Sequence, residues 1–232
     1  MPLFLRKRDT DLKEYMDDPN CDLDLLYSTY DQFKTVNRLI GGWRRIYVSK
    51  IRPALLAAES EPSILDIGCG GGDILRMLST LCEEDDLNVQ FTGLEPDNRA
   101  IEYIKKKTWG PNFSFLNTHS GDLARQGRTF TVVLSNHLLH HLTKAELHAI
   151  CADAESLADD LVIFSDIERS DIGYLLFTML APLFFRNSFI AADGTLSIRR
   201  SYRKKELQAH LPGRWKVRRQ FPFRLLTMFE RD

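Results

Sequence analysis

The sequence predicts an α/β domain: a mostly parallel, seven-stranded sheet with helices on both faces, finished by an antiparallel hairpin. Three observations predict it. From residue 62 onward, short apolar runs at 63–67, 89–94, 113–117, 130–135 and 161–165 alternate with helical stretches at 73–82, 98–108 and 143–157. Strands alternating with helices of that length form βαβ units, whose strands pair in parallel. Runs such as Val132-Val133-Leu134 are apolar at successive positions, the pattern of a strand buried on both faces. At the C-terminal end the pattern changes: 215–220 and 223–230 are strand-like runs joined by a tight turn at Pro222, a hairpin in place of another βαβ unit.

Ahead of the alternating region, Leu25, Leu26, Thr29, Tyr30, Phe33, Val36, Leu39 and Ile40 recur at helical spacing until Gly41-Gly42 interrupts them. A second helical stretch covers 43–58. Residues 1–60 thus form an N-terminal helical cap, and 61–232 the main domain, with a helical insertion at about 171–186.

Composition excludes several classes. Hydrophobic residues at 44% and charged residues at 27% are those of a globular protein and not of a disordered chain. A formal net charge of −1 argues against a protein dedicated to polyanions. Charge is unevenly placed, however: 199–224 carries ten Lys/Arg against the single acid Glu206, a solvated basic face or an anion-facing surface. The four cysteines are scattered with no C-x-x-C pair, so no metal site is expected, and no apolar leader follows the N-terminus. A reducing cytoplasmic setting fits both. The longest apolar run, 174–185, falls short of the roughly 20 residues that span a bilayer.

The chemistry concentrates in Ile64-Leu65-Asp66-Ile67-Gly68-Cys69-Gly70-Gly71-Gly72-Asp73. It follows a strand and opens a helix, where glycines let backbone N–H groups approach a ligand. The dinucleotide fingerprint would need glycine where Asp73 stands, and a phosphate-binding loop would need a lysine that is absent. Asp66, just before the glycines, would repel a pyrophosphate but suits a ligand with an amine and a sulfonium.

These residues resemble the first motif of class I S-adenosylmethionine-dependent methyltransferases, an acid followed by G-x-G-x-G, matched by Asp66, Gly68, Gly70 and Gly72. Further matches follow in order. The resemblance implies that Glu95, ending the second strand, takes both ribose hydroxyls, which suits a carboxylate acceptor. It implies that Asp122 and Leu123 border the adenine, and that Asn136 belongs to the loop between cofactor and substrate. The implied architecture is the Rossmann-like class I methyltransferase fold, with S-adenosylmethionine as cofactor. Segments 39–44, 165–169 and 193–202 further resemble bacterial small-molecule methyltransferases of polyketide, quinone and phenolic-lipid pathways.

Residues 135–142 hold three of the six histidines. An imidazole at the cleft mouth could take a proton from a hydroxyl acceptor; His140 and His141 are the candidates, and packing or capping is their alternative role. Methyl transfer itself asks mainly for alignment, because the sulfonium is already activated. The expected reaction is O-methylation of a hydrophobic, aromatic or lipid-like small molecule, with 174–189 as lid and no nucleic-acid partner. Peripheral membrane contact through that apolar stretch and the basic 199–224 run is a further expectation. An RNA or protein methyltransferase would use the basic stretch, but no N-P-P-Y-type motif follows the fourth strand. A non-catalytic scaffold would have little reason to keep all the cofactor residues.

Overall fold

A computed structural model describes residues 4–231. The sheet has seven strands, β1 (Ser63–Ile67), β2 (Gln90–Leu94), β3 (Phe113–Leu116), β4 (Phe130–Asn136), β5 (Ala158–Ile167), β6 (Lys216–Gln220) and β7 (Arg224–Glu230), in the order β3-β2-β1-β4-β5-β7-β6. Strands β1 to β5 run parallel; β7 inserts antiparallel between β5 and β6. Alternate residues serve opposite faces. Ile64 and Val132 pack with α1 (Leu23–Val36), α4 (Asp73–Glu84) and α5 (Asn98–Lys105), while Leu65 and Val133 pack with α6 (Ser120–Ala124), α7 (Lys144–Leu157) and α10 (Lys204–His210). This double burial explains the unbroken apolar strands.

The order reverses between β1 and β4, and ligands of open α/β sheets bind at such a switch point, beyond the carboxyl ends of the strands. The glycine loop leaves β1 there, and Asn136 ends β4 beside it.

The N-terminal helices are less regular than their apolar spacing suggests. Asp22 caps α1 by accepting from the amides of Asp24 and Leu25. A π-helical turn at Asn37–Gly41 follows, then Gly42 at φ +68°, α2 (Trp43–Ile46), a second π turn at Tyr47–Ile51 and α3 (Arg52–Ala57). Such widened turns recur at functional sites; here the first one directs the buried Asn37 side chain between Asp73 and Asn136. The insertion is longer than its apolar run indicates: α8 (Asp171–Phe184) is followed by α9 (Ile190–Arg200), whose polar residues conceal it in the sequence. Among the described residues, no helix is long and apolar enough to cross a membrane.

Candidate active site

The switch point opens into one cavity of about 1110 Å³, shared by the glycine loop, the end of β4, the N-terminal segment and the helices α1, α8 and α9. Its two ends differ in chemistry.

At the cofactor end, Gly68 (φ +70°) and Gly70 (φ +52°) line the cavity. A Cβ on either would meet no protein atom closer than 3.7 Å and would project into the space a ligand needs. Gly72 (φ +76°) serves another purpose: a Cβ there would strike the Trp109 ring at 2.7 Å, so this glycine lets the loop pack and does not face the cavity. Glu95 lies in the cavity wall, one oxygen accepting from the Gly70 amide and the other from the Asp97 amide, both at 2.9 Å. Each oxygen keeps a lone pair for a hydroxyl donor.

Asp66 stands behind the lining residues Ile67 and Gly68 and is not itself in the wall; it is 1% exposed and its Oδ1 has no hydrogen-bond partner. A buried, orphaned carboxylate oxygen is costly unless a ligand answers it. Burial first, then Asp73 and Glu95, raise the Asp66 carboxyl well above its ordinary range; burial also raises Asp73, to about 6. Three acids held up together favour a cationic ligand, which would relieve them. An orphaned acid, an open glycine cradle and a wall carboxylate fit an aminoacyl sulfonium nucleoside.

Besides Gly72, two further expected residues are corrected. Asp122 and Leu123 lie outside the cavity wall, which beside them is formed by Thr118, His119 and Ser120. Helix α6 starts at Ser120, and two residues on the chain has turned about 200°. Asp122 therefore faces outward and pairs with Arg125 and Thr118, and Leu123 drops into the core.

At the acceptor end the floor is polar. Asn136 donates to Asn37 Oδ1 (3.1 Å) and accepts from Arg224 Nη2 (2.6 Å); Asn37 in turn donates to Asp73 (2.8 Å). This chain links the cap to the glycine loop. Arg224 is 2% exposed, and its hydrogen bonds go to neutral partners: Asn136, Ser165 and His137 Nε2. Because a guanidinium can only donate, His137 Nε2 is an acceptor and that ring is neutral; burial and Arg224 hold it well below its usual range.

The two candidate histidines part company. His140 is 1% exposed, its Nδ1 at 2.7 Å from Asp166 and its Nε2 at 3.1 Å from Glu14. Burial works against its charge, but the two carboxylates outweigh it and raise the ring to about 9. Asp166 is correspondingly held well below the carboxylate range. A ring cationic at neutral pH with both nitrogens engaged is no free base. His141 is one quarter exposed and lines the cavity, with Glu14 at 3.7 Å and Asp17 at 3.3 Å. Of the pair, it is the one an acceptor can reach.

Sequence reasoning missed Glu14, Asn37, His137 and Arg224. The N-terminal segment seats Glu14 through Arg8, which donates to the carbonyls of His140 (2.7 Å) and Leu142 (3.0 Å), and through the Tyr15 and Met16 amides on Asp193. Nor is the basic run a uniform solvated face. Arg199 pairs with Asp9, Arg200 with Asp17 and Arg219 with Glu168, and Arg224 is buried.

The fold is doubly wound, and its cleft has room for a nucleoside-sized ligand beside a second molecule. Residues 64–159 match the family model of a methyltransferase domain; the match spans the glycine loop and both strands of the switch point. Over those residues the chain is similar to methyltransferase domains. No curated protein matches the chain. Among solved structures, the plantazolicin methyltransferase BpumL in complex with SAH superposes with a TM-score of 0.63 at 15% identity, covering 94% of this chain and 92% of that one. BpumL with a triazolic desmethylPZN analog and SAH gives 0.60 at 14% identity, covering 90% and 96%. A structure from the conversion of a disulfide bond into a thioacetal group during echinomycin biosynthesis gives 0.55 at 17%, covering 88% and 92%. At these identities the likeness is one of fold.

Proposed function

We propose that this chain is an S-adenosylmethionine-dependent methyltransferase that methylates an oxygen of a hydrophobic small molecule, aromatic or lipid-like. The observation that carries the reading is the mixed lining of the cavity's acceptor end. The apolar Phe33, Leu39, Leu176, Phe177 and Leu180 line it together with His137, His141 and Arg224. Ligand pockets run to about 300–1,000 Å³, so about 1110 Å³ has room for a cofactor and an acceptor together. The BpumL structures hold desmethylPZN analogs, which supports a natural-product acceptor in this fold.

When bound, S-adenosylmethionine supplies a methyl group already activated on sulfur. The chain's own part is alignment, exclusion of water and handling of one proton. The apolar residues would hold the acceptor and keep water out, and His141 would take the proton from the acceptor hydroxyl as that oxygen is methylated. Arg224 favours negative charge developing on the acceptor oxygen. Along the outer side of α8, Ile172, Leu175, Met179 and Leu183 are exposed, which supports contact with a lipid surface that delivers the acceptor.

The test is transfer of labelled methyl to a panel of phenols, quinols, phenolic lipids, azole-containing peptides and RNA. Labelled phenolic or lipid ethers are expected. Labelling of RNA or protein alone would overturn the reading.

A further inference from the structure

Glu14, His140 and His141 aim three ligand atoms at one point in the cavity wall. Glu14 Oε1 lies 3.1 Å from His140 Nε2 and 3.7 Å from His141 Nε2, and all three atoms fall within 4.8 Å of one another. A metal ion bound at about 2.0–2.1 Å by nitrogen and oxygen donors holds them about 3–3.4 Å apart, so small side-chain adjustments complete such a set. The far side of each ring carries the more telling feature. His140 Nδ1 meets Asp166 Oδ1 at 2.7 Å, and His141 Nδ1 meets Asp17 Oδ2 at 3.3 Å. A carboxylate on Nδ1–H fixes the tautomer whose Nε2 lone pair points away from it, the support that metal-bound histidines characteristically have. Both rings are therefore oriented to present Nε2 to the same carboxylate oxygen.

Charge points the same way. Glu14, Asp17 and Asp166 bring three carboxylates to the two rings, and Arg200 reaches this group 3.5 Å from Asp17. Ser197 Oγ donates to Glu14 Oε1 at 2.8 Å and steadies it. A divalent ion would take the place of the proton that His140 Nε2 shares with Glu14, so uptake releases that proton.

We propose that Glu14, His140 and His141 bind one divalent first-row transition-metal ion of the zinc type in the wall of the acceptor cavity. Two imidazoles and a carboxylate suit such an ion, and three protein ligands leave a position open towards the cavity, as in catalytic zinc sites. There the ion would polarise an acceptor hydroxyl and lower its pKa, replacing the proton uptake by His141 that operates when the site is metal-free. That catalytic role rests on the function proposed above; binding of the ion does not.

Tag-free protein without cofactor or acceptor is titrated with Zn²⁺ by calorimetry and with Co²⁺ by visible absorption. One equivalent of each is expected to bind, with d–d bands for cobalt. Asp17→Asn keeps all three ligands and is expected to weaken Zn²⁺ binding about 10–100-fold. Glu14→Gln and His141→Ala, checked for folding by circular dichroism, are expected to lose the one-equivalent site. Absence of saturable uptake by the wild type overturns the proposal. So does uptake unchanged in both ligand variants, and so does a loss of thermal stability in Glu14→Gln that metal does not influence. Since no acceptor takes part, failure here leaves the acceptor reading standing, and the reverse also holds.

Discussion

The two ends of the cavity are built by different means. The cofactor end comes from one strand-turn-helix and the end of the adjacent strand: Asp66, Gly68 and Gly70 are nearly consecutive, and Glu95 reaches Gly70 across neighbouring parallel strands. The acceptor end is assembled from segments distant in sequence. Glu14 meets His140 across 126 positions, Asn37 meets Asn136 across 99 and Arg224 meets His137 across 87. A binding site carried by one local motif keeps its form while the surrounding segments change; a site made of long-range contacts is free to be rebuilt. On the proposed function, the methyl donor and the acceptor would thereby be placed under separate structural control.

If the two ends are separable, substitutions should sort cleanly by end. The largest effect is expected from Gly70→Val: a β-branched residue at φ +52° is strained, and its side chain would fill the cradle. Calorimetry should find no cofactor binding, and normal binding would remove this loop from the site. Next is His141→Ala, which should lower methyl transfer about 10²-fold or more. Glu95→Ala should then weaken cofactor binding by about 1.5–3 kcal/mol, the scale of hydrogen bonds to a charged group. Asp122→Ala sharpens the boundary. It should leave affinity within a few-fold, because Asp122 lies outside the wall, and a loss like that of Glu95→Ala would restore it to the site.

A smaller effect is expected from pH. Asp73 in the ligand-free protein titrates near 6, raised by burial. A bound sulfonium favours the ionised form, so binding releases a proton below that pH. Affinity for S-adenosylmethionine should therefore rise from pH 5 to 7, by at most about tenfold per unit below 6. S-adenosylhomocysteine lacks the sulfonium charge and should rise less; equal slopes would contradict the role assigned to these acids. The same linkage sets a stability trend. Asp73 has its folded value above its unfolded one, so its contribution is fully present below the unfolded value and is lost as pH rises through about 6. The smallest effect concerns α8. Met179→Glu should reduce co-sedimentation with lipid vesicles, and no change would separate the exposed apolar side from membrane contact.

Legibility in the sequence follows the same division. Strand periodicity, the glycine loop and the hairpin were readable because each is local: an apolar run, a turn, a change of pattern. The place of Glu95 in the cavity wall was readable because it follows the end of a strand next to the loop. Asp122 and Leu123 went astray because the start of α6 sets which way each faces, and a five-residue helix has too little periodicity to show its phase. His140 and His141 are adjacent in the chain, and nothing local reveals that one is buried between two carboxylates while the other reaches the cavity. Glu14 sits in an acidic segment whose composition resembles an ordinary solvated tail. Its role depends on Arg8 and Asp193, contacts that no spacing rule encodes. The cations of 199–224 look like a surface patch in one dimension, whereas the fold turns Arg200 and Arg224 inward.

The most direct test of separable ends measures two quantities on the same pair of variants: S-adenosylhomocysteine affinity by calorimetry and methyl transfer at saturating cofactor. Glu95→Ala is expected to lose affinity and to recover much of its turnover once cofactor saturates. His141→Ala is expected to bind within a few-fold of wild type and to remain about 10²-fold slow at any cofactor concentration. Parallel loss of affinity and turnover in both variants would contradict separate control of donor and acceptor and make the cavity one undivided site.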